Sequence, residues 1–130
     1  MKRNRSAWNQ AVARSSVLAA GLVAGLVFTG AAFAHVFPQK QEPGAGASVA
    51  APSQVKITFD GPLEPAFSSL TVTDAAGKQV STAKSAVDAS QPDVITVALP
   101  ALQAGHYTVH WVAVASDGHR THGDYAFDVK

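Results

Sequence analysis

The chain has 130 residues, with ten Lys and Arg against nine Asp and Glu, five His, no Cys and a single Met at position 1. No disulfide can staple it, and beyond Met1 it carries no sulfur donor for a soft metal ion, so any metal site must be built from nitrogen and oxygen. The length suits one small domain with a modest core once an N-terminal targeting segment is set aside.

Residues 1–34 read as that segment. Lys2, Arg3, Arg5 and Arg14 supply a positive start, Val17 to Phe28 an apolar run, and Ala32-Phe33-Ala34 a small-residue cleavage site. The competing reading is an uncleaved anchor, since Ser15 to Ala34 is about as long as a bilayer-spanning helix. The Ala-x-Ala pattern favours cleavage after Ala34, which leaves residues 35–130 as the mature domain. Four of the ten basic residues depart with the leader and all nine acidic residues stay, so the domain is net negative. That excludes a basic nucleic-acid footprint. All five histidines, His35, His106, His110, His119 and His122, lie beyond the cut, where export places them outside the cytoplasm.

Val36 to Gln41 reads as a short edge strand limited by Pro38, and Pro43 to Ala47 as a turn-rich loop. Val55-Lys56-Ile57-Thr58-Phe59 alternates apolar and polar residues, placing Val55, Ile57 and Phe59 on one face of a strand. Asp60-Gly61-Pro62-Leu63-Glu64-Pro65 breaks it. Leu70 to Thr73 alternates again and runs through Asp74-Ala75-Ala76-Gly77, a predicted hairpin turn, into Lys78-Gln79-Val80. Ser81 to Asp93 is aperiodic and reads as a loop or a poorly formed strand. Val94 to Leu99 is a strand closed by Pro100.

The longest predicted strand runs from His106 to Val114, with Tyr107, Val109, Trp111 and Ala113 on the core face and His106, Thr108, His110, Val112 and Val114 on the other. Ser116 to Arg120 reads as a turn or bulge, and Tyr125, Phe127 and Val129 alternate in a last strand. No window past the leader has a helical period. The pattern predicts an all-β sandwich or Greek-key barrel of about seven strands, Ig-like or cupredoxin-like, in one domain.

Chemistry concentrates at two places far apart in the sequence. Cleavage after Ala34 gives His35 a free α-amine beside its imidazole, two nitrogens that chelate one ion with little added ordering entropy. Asp117-Gly118-His119 offers a carboxylate and an imidazole two residues apart, on one face of an extended backbone. Taken alone, without His35, the same tripeptide reads first as a plain hairpin turn. His122, three residues after His119, is a further candidate ligand or a solvent-facing residue. His106 and His110 are separated by roughly 13 Å of extended strand, too far for one ion.

With His35 at the mature terminus, Ala50-Ala51-Pro52, Ile57-Thr58-Phe59, Leu63 to Ser68, Gly105 to Val109, Ser116-Asp117-Gly118-His119 and Gly123 to Phe127, the chain resembles the CopC family of periplasmic copper-resistance proteins. The resemblance implies a cupredoxin-like β fold and one Cu(II) per chain, held by the amine and imidazole of His35 and by Asp117 and His119. That donor set of three nitrogens and one oxygen agrees with the tetragonal preference of Cu(II). The absence of mature methionine sets the chain apart from members with a second, Cu(I) site. Some relatives carry a glutamate in the turn after the Ile-Thr-Phe strand, where this chain has Asp60 and Gly61, with Glu64 further on. An outer role for Asp60 or Glu64 is left open.

The expected function is a monomeric periplasmic Cu(II) carrier or buffer in copper homeostasis, not an enzyme and not embedded in the membrane. The resemblance also implies a CopD-type inner-membrane copper transporter as partner. Two rival classes share these features. An oxidative copper enzyme of the histidine-brace type also uses an N-terminal histidine with a second histidine, although a domain of this length leaves little area for a polymer. A metal-free Ig-like interaction module would need none of the ligands.

Overall fold

The structure, a computed structural model, describes residues 35–130, and the leader reading of residues 1–34 lies outside them. Among the described residues there is no helix, and eight strands form: β1 (Pro38–Glu42), β2 (Ser48–Val49), β3 (Gln54–Phe59), β4 (Ser69–Thr73), β5 (Ala86–Val87), β6 (Val94–Ala98), β7 (Gly105–Val114) and β8 (Arg120–Val129). They make two four-stranded sheets, ordered β1-β3-β6-β5 and β2-β8-β7-β4. The all-β expectation therefore holds as a sandwich.

Alternation drives the packing. Val55, Ile57 and Phe59 of β3 and Tyr107, Val109, Trp111 and Ala113 of β7 are all buried, as are Tyr125, Phe127 and Val129 of β8. Each inward row comes from the period-two pattern of its strand, and burying each large apolar side chain contributes roughly 1.5–3 kcal/mol. Trp111 packs edge-on against Phe59 across the two sheets, with ring centroids 5.3 Å apart. Its indole lies directly over Gly123 in the neighbouring strand, where a Cβ would stand 2.7 Å from Trp111 Cζ2.

The differences from the sequence reading are local. Lys78-Gln79-Val80 is not a strand but a single bridge, Thr73 to Gln79, with Val80 N–H donating to Val72 C=O at 2.8 Å. The segment is too short to build a ladder, and it is held instead by Ser81, whose buried hydroxyl accepts from Val72 N–H at 3.0 Å. The two-residue strand β5 falls within the segment read as a loop or a poorly formed strand, whereas β2 carries too little pattern to be read. β2 forms because the turn around Gly46 swings the chain from one sheet to the other, where Gly46 N–H reaches Ala126 C=O and Asp128 N–H reaches Ala47 C=O, both at 2.8 Å. β8 starts at Arg120, earlier than the alternation of its aromatics suggests, because β7 pairs with it over its whole length down to Val114 opposite Arg120. Val114, assigned to the outer face, is buried. Its backbone lies under Ser68 and Glu64 of the β3–β4 connection, which cover that end of the sheet.

Candidate functional site

The connection from β7 to β8 is a tight turn over residues 115–119. Ala115 N–H donates to His119 C=O and Gly118 N–H to Ala115 C=O, both at 2.9 Å. Gly118 has φ +87°, a left-handed conformation that a side chain disfavours. The turn gives Asp117 two contacts with the same neighbour: its Oδ1 accepts from His119 N–H at 3.0 Å and its Oδ2 lies 2.7 Å from His119 Nδ1. A carboxylate accepts, so the Nδ1 proton belongs to the imidazole and the lone pair of the neutral ring sits on Nε2. A carboxylate on the far nitrogen is the usual way to orient a metal-ligating histidine.

The start of the domain reaches the same place from the other sheet. Val36 is 2% exposed and anchors in the core between exposed His35 and half-exposed Phe37. Phe37 N–H donates to Asp60 Oδ1 at 2.8 Å, and Asp60 N–H returns a bond to Phe37 C=O at 3.0 Å. Thr121, at the start of β8, donates its hydroxyl to Val36 C=O at 2.6 Å. The outcome is that the His35 and His119 rings meet edge to face, with centroids 5.3 Å apart.

All three predicted site residues thus gather at one end of the sandwich, although His35 and His119 stand at opposite ends of the domain sequence. Among the described residues no three His, Asp or Glu side chains converge as a ready-made cage. The arrangement is a pair of imidazoles with a carboxylate turned onto one of them. The remaining candidates go elsewhere. His122 alternates with inward-facing Thr121 and Gly123, so it is exposed on the opposite face of β8 from the residue that holds Val36. His106 and His110 pair across the β7–β8 ladder with Asp128 and Asp124, each at 2.7 Å. Asp60 is a backbone partner of Phe37, and Glu64 joins the site's neighbourhood through its own N–H, which donates to Val114 C=O at 2.7 Å. Thr121 was missed altogether. In a single sequence it is one more threonine in an alternating strand, and only the pairing of β8 under Val36 gives it a partner.

Fold and site together define a class: a small β-sandwich domain presenting a surface set of nitrogen and oxygen donors at one end. Residues 39–130 match the family model described as the CopC domain, and the chain belongs to that family. It is 33% identical over 126 residues to copper resistance protein C of Escherichia coli, covering 92% of this chain and 98% of that protein. It is also 33% identical over 99 residues to the copper transport protein CutJ of Bacillus subtilis, where the match covers 75% of this chain and only 18% of that one. Among solved structures, the crystal structure of CopC from Methylosinus trichosporium OB3b is similar, with TM-score 0.70 and 38% identity over 74% of this chain and 94% of that chain. The methionine-rich copper resistance protein PcoC from Escherichia coli is similar with TM-score 0.68 and 34% identity, covering 75% and 100%.

Proposed function

We propose that the chain is exported, cleaved after Ala34, and acts in the periplasm as a carrier or buffer of copper in copper homeostasis and resistance, not as an enzyme. One Cu(II) per chain is the cargo, bound by the His35 amine and imidazole together with Asp117 and His119. The observation that carries this reading is the approach of the His35 and His119 rings to 5.3 Å, with Asp117 on His119.

The donor chemistry fits. Imidazole, amine and carboxylate suit a tetragonal cupric ion, and the only methionine is Met1, so the chain lacks the soft donors that favour Cu(I). In this respect it departs from the methionine-rich copper resistance protein PcoC of Escherichia coli. Export supplies the missing donor, since cutting the Ala34–His35 bond turns an amide into an amine. For Asp117 to bind metal directly, Oδ2 must exchange the His119 imidazole for the ion, while Oδ1 keeps the backbone N–H and the turn intact.

No helix among the described residues is long and apolar enough to cross a membrane, consistent with a carrier that meets its membrane partner only to exchange cargo. That partner is an inner-membrane transporter of the CopD type. A copper transport protein in which the matching region is 18% of the chain supports the association of this domain with transport machinery. The test is the mass of the exported protein with and without Cu(II): a chain beginning at His35 that gains one copper is expected. A chain that retains residues 1–34, or a processed chain that takes up no copper, overturns the proposal.

A further inference from the structure

The copper reading assigns His35 two donor atoms, yet His35 itself is exposed and begins the described chain. What holds it is the next two residues. Val36 is sunk in the core at 2% exposure, and the glycine at position 61 leaves room for it, since a Cβ there would stand 3.0 Å from Val36 Cγ1. The Val36 carbonyl accepts the Thr121 hydroxyl at 2.6 Å. The Phe37 peptide is held on both sides by Asp60, through the side chain at 2.8 Å and through the Asp60 N–H at 3.0 Å.

Thr121 lies in β8, two residues beyond His119 of the preceding turn, and Asp60 directly follows β3 of the other sheet, so the Val36–Phe37 peptide is gripped from both sides, at its carbonyl by Thr121 and at its N–H by Asp60. We infer that Thr121 and Asp60 are positioning residues that clamp the Val36-Phe37 backbone, so that His35 meets His119 with its amine and imidazole as its only donors. The inference rests on the copper reading and adds to it two residues that touch no metal.

The chemical reason for such a clamp is competition. A cupric ion bound by a terminal amine readily displaces the proton of the following peptide nitrogen, here that of Val36, and a flexible terminus would wrap the ion with backbone nitrogens in place of His119. Tying down the Val36 carbonyl and the Phe37 N–H opposes the rotation this requires. It also spares the ion the entropy of ordering a loose terminus.

The test uses exported protein whose mass shows His35 as its first residue. Paramagnetic resonance of the Cu(II) complex reports the number of nitrogens and the symmetry around the ion, and a competition titration reports affinity. The parent protein is expected to give one tetragonal species. Thr121→Val and Asp60→Ala are each expected to weaken Cu(II) binding about tenfold, in the range typical for residues that orient ligands, and to split the spectrum into several species. Thr121→Ser keeps a donor and Asp60→Asn keeps an acceptor without the charge, so both should restore the parent spectrum.

If Thr121→Val fails to fold, Asp60→Ala decides, because the Asp60 side chain is exposed and outside the core. Parent-like spectra and affinities in both Thr121→Val and Asp60→Ala overturn the clamp while leaving the copper reading intact. Loss of binding in Asp60→Asn equal to that in Asp60→Ala also overturns it, since charge and not backbone pairing would then be at work. Failure of the parent itself to bind Cu(II) overturns the copper reading beneath it.

Discussion

The same pair of side chains occurs three times in this domain with the same separation. His106 Nδ1 and Asp128, His110 Nδ1 and Asp124, and His119 Nδ1 and Asp117 all lie 2.7 Å apart. The first two arise from strand register, because His106 stands opposite Asp128 and His110 opposite Asp124 on the outer face of β7 and β8. The third arises from a turn, two residues apart. Exposure does not separate them either: the His119 side chain is 42% exposed and that of His110 41%. What differs is the company. His110 turns its other nitrogen to the Thr73 hydroxyl at 2.9 Å, whereas His119 has a second imidazole, His35, at a centroid distance of 5.3 Å. A histidine on a carboxylate is thus ordinary surface chemistry, worth about 0–1 kcal/mol when exposed. What sets the His119 pair apart is the convergence of a second imidazole from a remote part of the chain.

The most direct way to break this comparison is to remove the histidines region by region. His119→Ala and His35→Ala are each expected to lower Cu(II) affinity by on the order of a hundredfold or more, beyond the usual cost of losing an orienting residue. Replacing both His106 and His110 with Ala should leave it within about threefold, because neither contributes to the gathered end. Competition titration with a chelator of known affinity measures both. Acid sharpens the contrast: protons compete with the ion for the proposed nitrogen ligands, so binding should weaken as the solution is acidified. The double variant on the outer face should follow the same curve, and a shifted curve would show that the outer pairs take part.

A smaller effect separates the scaffold from the site. Gly123 lies opposite Trp111 in the β7–β8 ladder, between the outer-face pairs and the turn. Gly123→Ala drives a methyl into the indole, and displacing a core tryptophan should cost about 1–3 kcal/mol in denaturant unfolding. Removing His106 from the face of the same ladder should cost less than about 1 kcal/mol. A Gly123→Ala protein as stable as the parent would show that Trp111 has room to shift.

How much of this was legible beforehand follows from the same physics. Alternation in β3, β7 and β8 identified their buried rows because a sheet with one solvent face must repeat every two residues. The start of β8 at Arg120 was missed because Thr121, His122 and Gly123 carry no apolar signal, although Thr121 and Gly123 both face inward. His35, Asp117 and His119 were picked out by residue type and by the predicted cleavage, yet the sequence could not tell the Asp117–His119 element from a turn, and it is indeed one. The Asp60 and Thr121 contacts were invisible because each depends on which backbone atom of residues 36 and 37 lies opposite, a fact of tertiary register with no composition behind it.

The contrast between paired and unpaired polar groups also runs through the sheet. Asp124 points outward to His110, while its neighbour Tyr125 points inward and its hydroxyl is buried without a hydrogen-bond partner among the described residues. Burial alone pushes this hydroxyl well above the ordinary tyrosine range. The sign of the consequence is fixed: above a pH of about 10 the unfolded chain releases the tyrosine proton while the folded chain keeps it. The unfolded state then binds fewer protons, so stability present at lower pH is lost as pH rises beyond that point. Tyr125→Phe removes the ionisable group and the unmatched donor together. At neutral pH its stability is expected to equal the parent's or exceed it by up to about 1 kcal/mol, since no hydrogen bond is given up. Above pH 10 its unfolding midpoint should fall less steeply than the parent's. Thermal unfolding at the two pH values measures both, and a variant less stable than the parent at neutral pH would mean that the hydroxyl has found a partner after all.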